Sequence, residues 1–202
     1  MLLPINPLHP EPRKIRRAVD FVENGGVIGY PTDTVYGLGC DLMNKHAIDR
    51  LRQIKGVNAK KRLAFICPDL SDIAKYAIVD NATYRVLKHF LPGPYCFVLQ
   101  ASREVPKIVQ TKQKTVGIRV PDHPVTQALV RELGRPIIST TAKRPGDDEP
   151  LTDPWEIADS FPALDLVLGV DAGGIEPATV VDLSNGDVEV LREGAGPVDD
   201  LI

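Results

Sequence analysis

Apolar residues recur at helical spacing in several stretches of the chain, each closed by glycine or proline. In the first stretch, Ile15, Ala18, Val19 and Val22 share one face before Gly25. This spacing is typical of an amphipathic helix with a glycine stop. The same reasoning predicts helices over 12–24, over 44–56 with Asn44 as N-cap, over 72–78 with Ser71 as N-cap, over 81–90 and over 123–134.

Short apolar runs between these helices predict strands, because they are bounded by turn residues and are too short for helices. The runs are 27–31, 63–67, 95–101, 115–120, 136–140, 164–171, 178–183 and 188–194. Residues 105–109 are predicted to form a brief helical turn or loop, and the charged, proline-rich residues 142–154 a loop. The pattern predicts a mixed α/β fold with a partly antiparallel sheet, as one domain over residues 1–202.

Composition places the chain among ordinary globular proteins, with 43% hydrophobic and 25% charged residues in 202. Sixteen glycines and 18 prolines favour many turns and short helices. No apolar run is long enough to span a membrane, and prolines interrupt the N-terminus where a signal peptide needs apolar residues. We therefore expect a cytoplasmic protein that does not enter membranes.

Charge and metal-ligating residues narrow the function classes further. The net charge of −3 argues against a molecule that attracts nucleic acid over its whole surface, although local basic patches remain open. The three cysteines are widely spaced and flanked by apolar residues, so buried, reduced thiols are expected. The four histidines show no paired spacing, so no histidine-based metal site is predicted.

A polar loop after the first apolar run, residues 30–39, carries candidate chemistry. Thr32, Asp33, Thr34 and Tyr36 offer two hydroxyls, a carboxylate and a phenol beside glycines. The loop could bind a ligand, or its polar side chains could serve only to hydrogen-bond the backbone of a turn. None of the usual phosphate-loop, dinucleotide or nucleophile-elbow motifs occurs in the chain.

Cations form the second group of candidates. Lys55 and Arg62 belong to a segment with four cations, which could hold phosphates or be a solvated turn. Arg119 lies in an apolar strand, where its guanidinium needs either an ion-pair partner or a ligand. Arg192, at the end of the last predicted strand, shows the same pattern more weakly. The basic residues 13–17 are interpreted as the solvent-exposed face of a helix rather than as an RNA contact.

Taken together, several segments resemble the YrdC/YciO family. The matching stretches are GGVIGYPTDTVYGLGCD (25–41), IKG (54–56), LPGPYCFVL (91–99), TVGIRVPDHP (115–124), RPIISTTA (135–142), PATVVDL (177–183) and LREGAG (191–196). The resemblance runs from about residue 12 to 197. It implies a single YrdC-like domain, without the additional C-terminal domain of longer members. The implied fold is a twisted mixed sheet with helices packed on it and a concave, positively charged surface.

The resemblance also implies an activity. Family enzymes condense L-threonine, bicarbonate and ATP into L-threonylcarbamoyladenylate (threonylcarbamoyl-AMP) and pyrophosphate, for the threonylcarbamoyladenosine (t6A) modification of tRNA. Mg²⁺ is expected to be held mainly by the phosphates. Asp33 is a candidate Mg²⁺ ligand, but a hydrogen bond within its loop is the favoured role for its carboxylate. Protein metal ligands are not otherwise predicted, and the oligomeric state is left open.

Site residues are carried over position by position. The resemblance implies catalytic roles for Lys55 and Arg119. The implied substrate-binding residues are Thr32, Thr34, Tyr36 and Thr141. The implied nucleotide-binding residues are Lys55, Arg119, Thr141, Thr179 and Arg192. Arg62 and Lys143 are predicted to bind nucleotide as well, as new cations at positions where the family has a proline and an asparagine.

The chain departs from the family pattern where nucleotide is expected to bind. Val57 stands at the arginine position of the KxR element, and Thr141 and Lys143 at the serine and asparagine positions of the SxN element. A histidine common in the family is replaced by Ile66. These departures resemble the YciO branch.

Three functions therefore stay open. They are a threonylcarbamoyl-AMP synthase or close relative, a nucleotide- or double-stranded-RNA-binding protein with little or no synthase activity, and an interaction protein that uses only the scaffold. In the first two, Lys55, Arg62 and Lys143 are expected to converge on a polyphosphate or an RNA backbone.

Overall fold

Helices and strands alternate along the part of the chain that the computed structural model describes, residues 1–56, 63–170, 172–199 and 201. The helices are α1 (Pro12–Glu23), α2 (Lys45–Lys55), α3 (Leu70–Tyr76), α4 (Asn81–Phe90), α5 (Pro124–Leu133) and α6 (Pro154–Ser160). The strands are β1 (Leu2–Pro4), β2 (Ile28–Tyr30), β3 (Gly37–Asp41), β4 (Ala64–Ile66), β5 (Tyr95–Gln100), β6 (Thr115–Arg119), β7 (Ile137–Thr141), β8 (Leu166–Gly169), β9 (Thr179–Asp182) and β10 (Glu189–Arg192). A 3-10 turn, Lys107–Val109, follows β5.

All ten of these strands join one twisted, mixed sheet in the order β1-β8-β2-β3-β7-β4-β6-β5-β9-β10. The pairs β1/β8, β8/β2, β4/β6 and β5/β9 are parallel. The other neighbours are antiparallel, including β9 and β10, which the turn after Asp182 connects. The predicted mixed α/β fold is therefore confirmed.

Helices cover the sheet with two apolar layers. One layer packs the apolar faces of α1 and α5 against residues such as Ile28, Ile137 and Leu166. The other contains Ile48 and Leu51 of α2. Adjacent residues of a strand pack in opposite layers, because side chains alternate between the two faces of a sheet. Ile137 packs in the first layer and Ile138 in the second, so the continuous apolar run of β7 is buried on both faces.

The structure adds three elements to the prediction and corrects the start of a fourth. Strands β1 and β3 and helix α6 were not predicted, and β3 occupies the second half of the polar loop at residues 30–39. Helix α3 begins at Leu70 rather than 72, because the Asp69 carboxylate, not Ser71, accepts the backbone N–H groups of Ser71 and Asp72. Asn44 caps α2 as predicted, by accepting the N–H of Ala47 at 3.0 Å.

Two of the three cysteines, Cys40 and Cys67, are buried free thiols, as predicted. Burial raises the pKa of Cys40 to about 12 and that of Cys67 well above its usual range. Both thiols are therefore inert at neutral pH. Cys96 is only partly buried, because it lies in the wall of the cleft that holds the candidate site.

His123 is the N-cap of α5, where its Nδ1 accepts the backbone N–H of Val125 at 3.3 Å. Burial lowers the pKa of His123 below its usual range, against the opposing charges of Asp33 and Asp122. The unfolded chain therefore binds more protons than the folded one between the lowered pKa and the ordinary value near 6.5. The protein should lose stability as the pH falls through that window.

Replacement of His123 by asparagine should remove this contribution, since asparagine caps helices without titrating. We expect the free energy of unfolding, measured with urea from pH 7.5 to 5, to fall less steeply in His123→Asn than in the wild type. Equal slopes for the two proteins would contradict this assignment.

Candidate functional site

A cleft of about 340 Å³ crosses the sheet from β2 to β10. Each of the eight consecutive strands from β2 to β10, both included, contributes at least one wall residue. The wall residues are Tyr30, Val35, Tyr36, Gly37, Lys55, Ala64, Ile66, Cys96, Arg119, Ser139, Thr140, Thr141, Lys143, Asp148, Pro150, Pro177, Ala178, Val180 and Arg192. Four of them are cations and one is a carboxylate, so this described part of the wall is positively charged.

The turn between β2 and β3 is closed by the hydroxyl of Thr32. This hydroxyl donates to the carbonyl of Val35 at 2.6 Å and accepts the backbone N–H of Thr34 at 3.1 Å. Thr32 is buried and lies outside the wall of the cleft. The turn also packs tightly against Gly173, where a Cβ would lie 2.9 Å from the Cα of Asp33. Thr32 thus shapes the turn from behind.

Arg119 joins this turn to the cleft. Its guanidinium donates to Asp33 Oδ1 at 2.9 Å and to Thr34 Oγ1 at 3.0 Å. Asp33 is fixed in turn, because its Oδ2 accepts the backbone N–H of Asp122 at 3.0 Å. The side chains of Arg119 and Asp33 are only 12% and 10% exposed. The sequence left open whether Arg119 forms an ion pair or contacts a ligand. The ion pair is formed, and Arg119 also lines the cleft.

One donor of Arg119 has no hydrogen-bond partner. Its buried Nε–H is unpaired within the described residues. A buried donor without a partner is costly, so the bonding capacity of Arg119 is not exhausted by Asp33 and Thr34. The Asp33 carboxylate is a hydrogen-bond acceptor, as the sequence favoured, but its donors, Arg119 and Asp122, lie outside its own loop. Among residues 1–56, 63–170, 172–199 and 201, no group of three or more His, Cys, Asp or Glu could hold a metal ion.

Two tyrosines of the cleft use their hydroxyls to fix the framework. Tyr36 donates to the carbonyls of Leu168 and Val170, so its hydroxyl points toward β8. Tyr30 shares a hydrogen bond with Ser139 on β7. Burial raises the pKa of Tyr30 to about 12, although that hydrogen bond and the charge of Arg119 lower it. The phenol of Tyr30 is therefore neutral at physiological pH, and both side chains form part of the wall.

Lys55 and Lys143 contact each other in the wall of the cleft. Lys55, at the end of α2, is 6% exposed and donates from Nζ to the backbone carbonyl of Lys143. Lys143 follows β7, and its own Nζ donates to the carbonyl of Asp148 at 2.9 Å. Gly56 then turns the chain with a left-handed φ of 66°. The two cations predicted to cooperate are thus connected through the backbone.

The structure brings six of the predicted residues to the cleft: Tyr36, Lys55, Arg119, Thr141, Lys143 and Arg192. Arg192 reaches it from β10 and donates to the carbonyl of Ala178 at 2.6 Å. Arg62 and Val57 lie outside the described residues. The roles assigned to these residues stay predictions.

Three predicted residues lie outside the wall of the cleft: Thr32, Thr34 and Thr179. Thr34 contacts Arg119, but Thr179 is buried and fully occupied with backbone groups. Its hydroxyl donates to the carbonyl of Gly196 at 2.6 Å and accepts the N–H groups of Gly194 and Gly196. This geometry gives Thr179 the role of joining β9 to the segment after β10, rather than that of a nucleotide contact.

Among the wall residues with polar or ionisable side chains, sequence reasoning missed five: Tyr30, Cys96, Ser139, Thr140 and Asp148. Tyr30 and Ser139 belong to runs predicted as buried strands, where alternation could have shown which side chains share a face. Asp148 lies in a charged loop, and no local signal separates it from its acidic neighbours.

Comparison with known proteins assigns a family to this arrangement. Residues 20–194 match the sequence model of the family Sua5_yciO_yrdC, described as "Telomere recombination". The protein YciO of Escherichia coli (strain K12) is 41% identical over 196 residues, which cover 96% of this chain and 95% of YciO.

Two solved structures share the whole fold. The crystal structure of E. coli YciO has a TM-score of 0.95 at 39% identity and covers 100% of this chain and 99% of its own. The crystal structure of P. abyssi Sua5 complexed with L-threonine has a TM-score of 0.92 at 27% identity, with 99% of this chain matched to 59% of Sua5. By sequence and by fold, the chain belongs to the Sua5/YciO/YrdC family.

Proposed function

We propose that the protein is an L-threonylcarbamoyladenylate synthase or a close relative, which binds ATP, L-threonine and bicarbonate in the cleft. The observation that carries this proposal is the convergence of Lys55, Arg119, Lys143 and Arg192 on one cleft beside the Thr32–Thr34 turn. The similarity to Sua5, which was crystallised with L-threonine, supports an amino-acid substrate.

The reaction has two parts. The amine of L-threonine and bicarbonate form a carbamate with loss of water. A carbamate oxygen then attacks the α-phosphorus of ATP, the bond to the β-phosphate oxygen breaks, and pyrophosphate leaves with that electron pair. Negative charge builds up on the phosphates in this step, and fixed cations stabilise it without reorganisation.

The residues of the cleft would have different roles in this reaction. Lys55 and Lys143 are placed to neutralise the triphosphate, whose Mg²⁺ is carried mainly by the phosphates. Arg119, in the wall of the cleft, would bind the carboxylate of threonine or a phosphate. The buried walls exclude water from the labile carbamate. The product would serve the t6A modification of tRNA in the cytoplasm.

Pyrophosphate release tests the proposal. Purified protein with ATP, Mg²⁺ and bicarbonate should release pyrophosphate faster when L-threonine is added, and L-serine provides the matched control for the side-chain methyl group. Release that does not depend on any amino acid, in protein that binds ATP, would overturn the proposal.

A second candidate is binding of tRNA or double-stranded RNA with little or no synthase activity. Between residues 103 and 114, Arg103, Lys107, Lys112 and Lys114 have no carboxylate partner within the part of the chain described. Unpaired cations close together suit phosphate contacts.

Salt dependence distinguishes this candidate from the first. Replacing Lys107, Lys112 and Lys114 together by alanine should reduce the slope of log affinity for RNA against log salt by about 2–3, close to one for each phosphate contact. Lys45→Ala, on the exposed start of α2, serves as the control. An unchanged slope in the triple variant would exclude this surface as the RNA contact.

A further inference from the structure

The loop after β7 contributes one acidic residue, Asp148, to the wall of a cleft whose other charged residues are cations. Lys55, Arg119, Lys143 and Arg192 supply the positive charge, and Asp148 is the acidic side chain among the described residues of the wall. Its neighbour Asp147 forms an ion pair with Arg144 at 3.4 Å. Asp148 forms no ion pair with any residue that the structure describes.

Contacts on both sides hold this loop in place. The Nζ of Lys143 donates to the carbonyl of Asp148, and the backbone N–H of Leu151 donates to the carbonyl of Ala142 at 2.7 Å. Arg144 also forms an ion pair with Glu156 of α6 at 2.8 Å. These contacts hold the backbone of the segment at the cleft, where Asp148 is an exposed residue of the wall.

A carboxylate at this place has two opposite effects on ligands. It repels a phosphate group, and it accepts hydrogen bonds from a hydroxyl or an amine. A ligand that is anionic along its whole length is therefore disfavoured. A nucleoside triphosphate satisfies both requirements, since its phosphates can face the lysines while its ribose hydroxyls donate to Asp148.

We propose that Asp148 is a specificity-determining residue that makes the cleft select nucleoside triphosphates over inorganic polyphosphate, by accepting a hydrogen bond from a ribose hydroxyl and repelling a phosphate in the same place. This inference rests on the proposed use of the cleft for ATP. Asp148 would discriminate against inorganic polyphosphate by repelling it, an effect that the cations of the cleft cannot supply.

Calorimetric titration of the full chain tests this selection. The ligands are ATP, 2′,3′-dideoxy-ATP and inorganic tripolyphosphate, each with Mg²⁺, and the proteins are the wild type, Asp148→Asn and Glu149→Gln. Glu149 is the matched control, because it is exposed, adjacent and outside the wall of the cleft. Both substitutions remove one negative charge, so a general change of net charge affects the two variants equally.

The wild type should bind ATP more tightly than dideoxy-ATP and tripolyphosphate. In Asp148→Asn, tripolyphosphate should bind at least about threefold more tightly. The preference for ATP over dideoxy-ATP should shrink by about tenfold. Glu149→Gln should match the wild type. Unchanged preferences in Asp148→Asn, or equal changes in both variants, would overturn the inference while ATP binding itself stands. Failure of the synthase proposal would show instead as pyrophosphate release that ignores threonine.

Discussion

Replacement of Asp33 by alanine is expected to destabilise the protein by about 3–5 kcal/mol, because it leaves the guanidinium of Arg119 buried without its counter-charge. The two side chains are 2.9 Å apart and nearly buried, so little solvent is available to replace the lost carboxylate. The same substitution releases the backbone N–H of Asp122. Urea unfolding at pH 7.5 measures the loss.

A double-mutant cycle separates the ion pair from packing. Arg119→Met keeps much of the side-chain volume, and the double variant Asp33→Ala with Arg119→Met has no buried charge left at this place. We expect the double variant to be at least about 1–2 kcal/mol more stable than the sum of the two single losses predicts. Strict additivity would show that the pair does not interact as the geometry indicates.

Replacement of Lys55 by alanine is expected to lower the rate of threonine-dependent pyrophosphate release by about a hundredfold or more. A fixed cation at a developing phosphate charge is worth a few kcal/mol in the transition state. Lys55 is buried at the end of α2, where no other described side chain on that helix lines the cleft. The measurement is kcat/KM for ATP at saturating threonine and bicarbonate.

Lys45→Ala is the control for this substitution, since Lys45 is exposed at the other end of the same helix. It should retain wild-type kcat/KM and stability. Because Lys55 also binds the carbonyl of Lys143, both variants should be checked for the free energy of unfolding. A Lys55→Ala protein that is folded and as active as the wild type would remove Lys55 from the proposed machinery.

Local patterns predicted most of the fold, and the failures have a physical explanation. Helices α1, α2 and α5 carry clear apolar faces and end at glycine or at a turn, so their bounds follow from nearby residues. Strand β1 pairs with β8, more than 160 residues away, so nothing local indicates it. Strand β3 looked like a loop because it contains two glycines. A Cβ on Gly37 would lie 2.6 Å from the ring of Tyr30, and this requirement is visible only in the folded sheet.

Prediction of the site had a similar limit. The motifs indicated that Lys55, Arg119 and Lys143 carry chemistry, and the structure places them in one cleft. The motifs could not show that Arg119 forms an ion pair with Asp33, or that the hydroxyl of Thr179 is hydrogen-bonded to the backbone of Gly194 and Gly196. Those contacts join residues that are distant in sequence or that share no pattern. Residue type therefore predicted which groups meet, but not which of them remain available to a ligand.

The cleft is built from eight neighbouring strands, and the last of them enters the chain only at Glu189–Arg192. During synthesis, the wall of the cleft therefore stays incomplete from the time Tyr30 is made until Arg192 is made. A partly made chain would have no complete site, and a ligand specific to the finished cleft would bind only the fully folded state. Such a ligand would shift the folding equilibrium by mass action, so occupancy of the cleft would report that folding had reached its last strand.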